Sequence, residues 1–446
     1  MNFVVRRAAL CAAAAAAAKL TTKDRMHSSL SEHLKLQLQF ENGLLRLHAG
    51  DGFTTFDAWL PAAFNDINGS ICTSTKEFVH LLRNETFADL LAISGDSTVS
   101  HVANVGGHTL GGHVPYSEFP CEYPVWNAEK LTIPVTDEVI AAVQLALLRR
   151  VTAVIADFSE NTSSYNCYDT MLVEPSNQGL RFCATNGTVL VVIDARYGVL
   201  GCRADAAAQA FSAVTLLRAA LSLWYDVDDL NAVDCEVQVS RRTVQHPDGE
   251  IVEIDPFVVF DIAGNGYRAR ISTRPQGVFP QYRNVIGEYG DSGLLFEPRA
   301  KELLEVAQLA EDTKLKRDHG RMGFHCSFAN PNNVLVQVLH AHKVDLMQDT
   351  LIVQRTAVEY PGVLLGALAQ PRRPAGSAPT VPPVSEIVSF NSGYVQRILQ
   401  YLQDRHITVK LKGAAAVAEI ATTDDGPDQL FFVLMPFYGD ILEENL

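Results

Sequence analysis

A few short segments of this 446-residue chain carry residue types that could do chemistry. Gly290-Asp291-Ser292-Gly293 would present a serine hydroxyl on a tight loop. A serine becomes a nucleophile only when a positioned histidine takes its proton. His340 and His342 are two residues apart, so on a strand they would share a face and could chelate a metal as a pair. Such a pair without a cysteine or carboxylate partner is more simply a polar strand face. Asp226, Asp228 and Asp229 read as a solvated acidic loop. Gly264-Asn265-Gly266 reads as a turn between strands, because no helix follows to complete a phosphate loop.

The serine segment resembles the nucleophile loop of chymotrypsin-like serine proteases, and Asn104-Val105-Gly106-Gly107-His108 resembles their mature N-terminus at about the right separation. The chemistry then fails on the base. No histidine occurs between His113 and His246, where that fold would carry it. Gly290 to Gly293 is equally an ordinary turn before the strand Leu294-Leu295-Phe296. No paired carboxylates and no His-Glu-x-x-His pattern appear. The reading is a non-enzyme with no catalytic residues, metal or cofactor, the alternative being a serine protease.

Composition bounds what else the chain can be. Hydrophobic residues make up 47% and charged residues 20%, which suits soluble globular domains, and the length suits two to four of them. The formal net charge of −15 argues against whole-surface binding to phosphates, although a locally basic wall can sit on an acidic protein. Eight cysteines are scattered in apolar surroundings without a Cys-x-x-Cys pair, as reduced, buried thiols would be. Arg6-Arg7 and the alanine run after them imitate a signal or transit peptide. The run is poor in Leu and Ile, and alanine favours an ordinary first helix. No other stretch is long and apolar enough to span a membrane, and with reduced thiols a cytoplasmic protein is expected.

Stepping through the chain, one order of elements occurs three times: helix, two strands, second helix, more strands. First helices are predicted at 6–20, 136–150 and 299–312, the middle one capped by Thr136 with Asp137 and Glu138 at its positive end. Hairpins are predicted from alternation around Asn/Gly turns: Leu34 to Phe40 with Leu44 to Leu47, Met171 to Val173 with Leu180 to Ala184, and Met322 to Phe328 with Val334 to Val338. Second helices are predicted at 74–84, 209–224 and 391–402. Ser74 and Glu77 would form a capping box on the first, and Asn391 would cap the last. Phe211, Val214, Leu217 and Leu221 form one apolar stripe, and Tyr394, Val395, Ile398 and Leu402 another. Similar Phe-Pro exits at Phe119-Pro120 and Phe279-Pro280 place boundaries near 125 and 288, giving an α+β protein of three domains, 1–125, 126–288 and 289–446. Prolines across 361–384 mark a surface loop inside the third.

Tripled α/β units of this kind resemble the β sliding clamp of bacterial DNA polymerase III. Met1-Asn2-Phe3-Val4-Val5 is similar to that family's opening strand. Ala184-Thr185-Asn186-Gly187-Thr188-Val189-Leu190 resembles its Ala-Thr-Asp-Gly-His-Arg-Leu. Phe279-Pro280-Gln281-Tyr282-Arg283-Asn284-Val285 resembles Phe-Pro-Asp-Tyr-Arg-Arg-Val. Phe390-Asn391-Ser392-Gly393-Tyr394-Val395 and Val433-Leu434-Met435-Pro436 resemble its two C-terminal motifs. The chain departs from the pattern at Thr188, Val189 and Asn284, where the family has histidine and arginines.

The resemblance implies a homodimeric ring, with double-stranded DNA encircled without regard to sequence. Its partners would be the replicative polymerase, a clamp loader and other proteins carrying a clamp-binding motif. It implies a basic inner wall of helices, for which Lys23, Arg25, Lys76, Arg83, Arg149, Arg150, Arg218 and Arg397 are candidates. It also implies a groove for a short peptide containing glutamine and bulky apolar residues. The matching positions are Thr185, Gly187, Thr188, Val189 and Leu190, then Pro280, Asn284 and Val285, then Asn391, Tyr394, Val433, Leu434, Met435 and Pro436. Val189, Leu190, Val285, Val433, Leu434 and Met435 would form its apolar floor, and Thr185, Asn284, Asn391 and Tyr394 its polar contacts.

Overall fold

The computed structural model describes residues 2–21, 33–39, 44–50, 54–64, 70–83, 89–95, 99–104, 112–115, 135–159, 170–176, 179–212, 214–221, 236–245, 251–264, 267–273, 278–287, 293–312, 321–327, 333–345, 348–365, 385–412, 417–424, 426, 428–436 and 440–442. Among these residues there are seven α-helices: α1 (Arg7–Ala17), α2 (Thr75–Leu82), α3 (Leu145–Asp157), α4 (Val214–Leu221), α5 (Tyr282–Gly287), α6 (Ala300–Asp312) and α7 (Ser392–Leu402). The chain divides into two compact units, one of residues 1–182 with 195–279, the other of 183–194 with 280–446.

In the first unit the alanine run forms α1, whose Leu10, Ala13, Ala14, Ala16 and Ala17 are buried. The strand before it, Asn2–Arg6, pairs antiparallel with Thr54–Phe64 on one side and Leu90–Gly95 on the other. The segment that imitates a targeting peptide is thus built into a sheet and a helix core. The sheet runs, by strand, through 199–202, 135–144, 236–245, 251–264, 267–273, 54–64, 2–6, 90–95, 99–104 and 112–115. Strand Thr54–Phe64 turns this sheet. Its first six residues pair with Tyr267–Thr273, and Ala62 to Phe64 pair with Asn2–Arg6. On it Trp59 lies between Arg46 and Arg268, whose guanidinium carbons stand 5.7 and 5.3 Å from the indole ring. Buried Asp57 accepts 2.7 Å hydrogen bonds from Arg46 and His48. Burial pushes its carboxyl up, but His48 and Arg46 outweigh this and hold it below its ordinary value.

Helices pack in pairs: α1 on α2 and α3 on α4 in the first unit, α6 on α7 in the second. All six carry apolar stripes. In the second unit the strand order is 189–195, 428–434, 418–422, 407–411, 293–296, 348–365, 333–345, 321–327, 385–391. The expected cap is present: Asn391 Oδ1 accepts from the amides of Gly393 and Tyr394 at 2.9 and 3.3 Å.

Three expectations need correction. Residues 136–144 are not helical: Val135–Gln144 is a strand and the helix follows at Leu145–Asp157. The β-branched residues Val135, Thr136, Val139, Ile140 and Val143 favour the pleat, and pairing with Glu236–Gln245 secures it. Residues 209–212 form a strand pairing with Thr170–Ser176, so the helix there begins only at Val214. Phe211 is buried from that strand, with its ring edge-on to Phe260. The proline-rich stretch starts later than expected, because Gln348–Leu365 continues as a strand through Pro361. Residues 366–384 lie outside the described residues, as does the boundary near 125.

Gly293 opens strand Gly293–Phe296 with φ +148°, and a Cβ there would stand 2.8 Å from the Leu411 carbonyl oxygen. Gly293→Ala should therefore destabilise the protein by about 1–3 kcal/mol, read as a lower urea midpoint. Gly201→Ala, with nothing within 4 Å of its Cβ, should leave the midpoint unchanged.

Candidate functional site

The Thr185–Leu190 segment is a turn held by its own side chains. Thr185 Oγ1 donates to the Val189 carbonyl at 2.8 Å and accepts from the Gly187 amide at 3.1 Å. Asn186 Oδ1 accepts from the amides of Thr188 and Val189 at 3.0 and 2.8 Å. Gly187 supplies the left-handed φ of 86° that the turn requires. Asn186 stands where the clamp pattern has aspartate, and one carbonyl oxygen is all that the turn uses.

This turn is joined to the end of strand Asp428–Leu434, since the Met435 amide donates to the Thr188 carbonyl at 2.9 Å. The Thr185 and Val433 motifs, some 250 residues apart in sequence, are thereby brought together. Val189, Leu190, Val433 and Leu434 are buried, whereas Met435 is 44% exposed and Thr188 and Pro436 are half-buried. Of the apolar residues expected as a floor, Met435 and half-buried Val285 are the ones that reach solvent.

The Pro280–Val285 motif winds into α5. The Tyr282 amide donates to the Pro280 carbonyl at 2.7 Å, and Asn284 Nδ2 donates to Gln281 Oε1 at 2.9 Å. Tyr282 is buried, while Pro280 and Asn284 are exposed. Asn391 and Tyr394 belong to the opposite end of the strand order. Asn391 is engaged in capping α7, Ser392 Oγ donates to Glu311 Oε1 at 2.5 Å, and Arg397 lies 5.8 Å over the Tyr394 ring. The oxygens of Thr185 and Asn391 are thus committed to local backbone, so Asn284 is the freer polar side chain.

Sequence reasoning passed over Lys412 and Glu419, a buried ion pair beside these motifs. A lone Lys and Glu seven residues apart give no signal, because register across strands decides their meeting.

The basic residues divide by what they touch. Lys76, Arg83, Arg150, Arg218 and Arg397 are exposed. Arg149 is half-buried, and its Nε and Nη2 donate to the Leu221 carbonyl at the end of α4 at 3.3 and 3.1 Å. Arg218 of α4 pairs with Asp157 of α3 at 2.7 Å. These two tie the α3–α4 pair together. Lys23 and Arg25 lie outside the described residues, as do Ser292 and His108. His340 and His342 share strand Asn333–Asp345.

Three solved structures of DNA polymerase sliding clamps match almost the whole chain. That from Bacillus subtilis has a TM-score of 0.65 at 11% identity and covers 98% of this chain and 99% of its own. The β subunit from Thermotoga maritima has a TM-score of 0.66 at 12% identity over the same shares. The clamp from Pseudomonas aeruginosa, solved with a ligand, has a TM-score of 0.63 at 14% identity over 98% of this chain and 100% of its own. No protein-family model and no curated protein sequence matches the chain. The chain has the fold of the sliding clamps of DNA polymerase III.

Asn186→Ala would leave two turn amides without an acceptor, one of them on buried Val189. It should lower unfolding free energy by about 1–3 kcal/mol. Amide exchange should accelerate at Thr188 and Val189, and Asn186→Asp should keep both bonds.

Proposed function

We propose that this chain is a DNA polymerase processivity factor, a sliding clamp that encircles duplex DNA as a homodimer and tethers a polymerase. The observation that carries this reading is the match of the clamp fold over 98% of the chain. Three tandem domains, 1–125, 126–288 and 289–446, each contribute one helix pair. Two chains joined head to tail would close a ring of six domains. A soluble, cytoplasmic protein fits the reading, and no helix among the described residues is long and apolar enough to cross a membrane.

A ring reconciles DNA binding with a net charge of −15. Ordinary binding must hold the duplex by phosphate contacts, at an affinity that falls steeply with salt. A closed ring holds by topology and needs only a mildly positive wall that carries no sequence information. The chain would load on a nicked circular plasmid in the presence of a loader and slide off once the circle is cut. Equal retention on both forms would refute the proposal. Lys76→Glu with Arg83→Glu, or Arg150→Glu, should reduce loading and flatten its salt dependence. Arg149 and Arg218 are unsuited to this test because their loss would loosen α3 from α4.

Partners would dock on the surface made by Thr188, Met435, Pro436 and α5, taking a peptide with a glutamine and bulky apolar residues. The exposed thioether of Met435 can adapt to varied apolar side chains. Asn284 offers both a donor and an acceptor to orient the peptide. Met435→Glu should abolish binding of a labelled polymerase-tail peptide in fluorescence anisotropy, with the dimer intact by sedimentation. Wild-type affinity in that variant would remove the surface from consideration.

A further inference from the structure

Lys412 is among the most deeply buried side chains of the protein, with a relative side-chain exposure of 1%. Burying an ammonium costs several kcal/mol unless anions and acceptors replace its water. Two groups do so here. Glu419, itself 11% exposed, forms an ion pair with the ammonium, and the Ile286 carbonyl at the end of α5 accepts a hydrogen bond from Nζ at 3.3 Å.

The partners belong to different segments. Ile286 follows Asn284 and Val285 on α5. Glu419 lies on strand Ala418–Thr422 and is the cross-strand partner of Val433, with Ala418 opposite Leu434. Lys412 directly follows strand Ile407–Leu411, whose Leu411 pairs with Ala418. One side chain therefore ties α5 to strand Ala418–Thr422, and through it to the neighbouring strand Asp428–Leu434, which ends just before Met435. The third segment, the Thr185–Leu190 turn, is tied to that same end by the Met435 amide on the Thr188 carbonyl. Helix α5 is six residues long and too short to hold its place alone.

We infer that Lys412 is a positioning residue for the docking surface. Through Glu419 and the Ile286 carbonyl it sets where Asn284 and Val285 stand relative to Met435, and so the spacing that a partner peptide must match. The role rests on the docking reading above. It differs from simple stabilisation, because an apolar pair could fill the same space but could not hold the Ile286 carbonyl.

That difference gives the test, made on the full chain with the labelled peptide and with amide hydrogen exchange. The variants are Lys412→Met, Lys412→Met with Glu419→Leu, and Lys412→Arg. The double variant removes both charges, a swap that leaves buried pairs near neutral in stability, so its urea midpoint should stay close to wild type. Its amides at 282–287 should nevertheless exchange faster, those at 185–190 should not, and peptide affinity should fall on the order of tenfold. Lys412→Arg keeps charge and donors and should restore protection and affinity in large part. Should the double variant protect 282–287 like wild type, or bind peptide like wild type, Lys412 is merely structural and the inference falls. A wild-type chain that binds no peptide refutes the docking surface, and the positioning role with it. The first titration reports that failure, whereas failure of the Lys412 role alone leaves wild-type binding intact.

Discussion

No helix in the described residues is longer than 13 residues, and none would be stable alone in water. Six of the seven are held by burying an apolar stripe on a neighbouring helix. The rest of the architecture depends on that requirement. It forces those six into pairs, and several of them turn basic residues outward. Lys76, Arg83, Arg150 and Arg397 stand on such exposed positions.

The proposed docking surface is built mostly from structural residues. Its most deeply placed motif residues, Val189, Leu190, Val433 and Leu434, belong to the interior. The side-chain oxygens of Thr185, Asn186 and Asn391 spend their hydrogen bonds on backbone amides. What such residues would give a partner is a fixed shape. On this proposal the binding chemistry would fall to a few protruding groups, Met435 and Asn284 among them, and altering two or three side chains would change the preferred peptide.

Much of this was legible in the sequence where a pattern is local. The Asn391 cap, the hairpins starting at Leu34 and Met322, and the apolar stripes of α4 and α7 depend on neighbours within a few residues. Residues 136–144 show the limit. Val139, Ile140 and Val143 fit one face of a helix, yet the segment pairs as a strand with Glu236–Gln245, about 100 residues away. Phe211 was placed in the core but on the wrong element, because burial is a weaker constraint than register. Of the site, the motifs point to the Thr185 turn and the Val433 strand end, which meet through the Met435 amide, but also to Asn391 and Tyr394, which lie at the opposite end of the strand order. Lys412 gives no signal, because Glu419, seven residues on, meets it only through the pairing of strands and the Ile286 carbonyl is far away in sequence.

Strand Asn2–Arg6 has a consequence for how the chain is made. It is made before both of its partners, which end at Phe64 and Gly95. During synthesis one of its edges stays uncovered until Phe64 is made, and the other until Gly95, about 90 residues later. At the usual pace of translation that wait lasts on the order of 5–20 s. The nascent segment combines an unpaired strand with an apolar helix, which are the features that chaperones bind and that seed aggregation. Slowing translation before residue 95 would lengthen that exposure. Yield of folded protein should therefore be more sensitive to rare codons between residues 6 and 95 than to the same codons after residue 300.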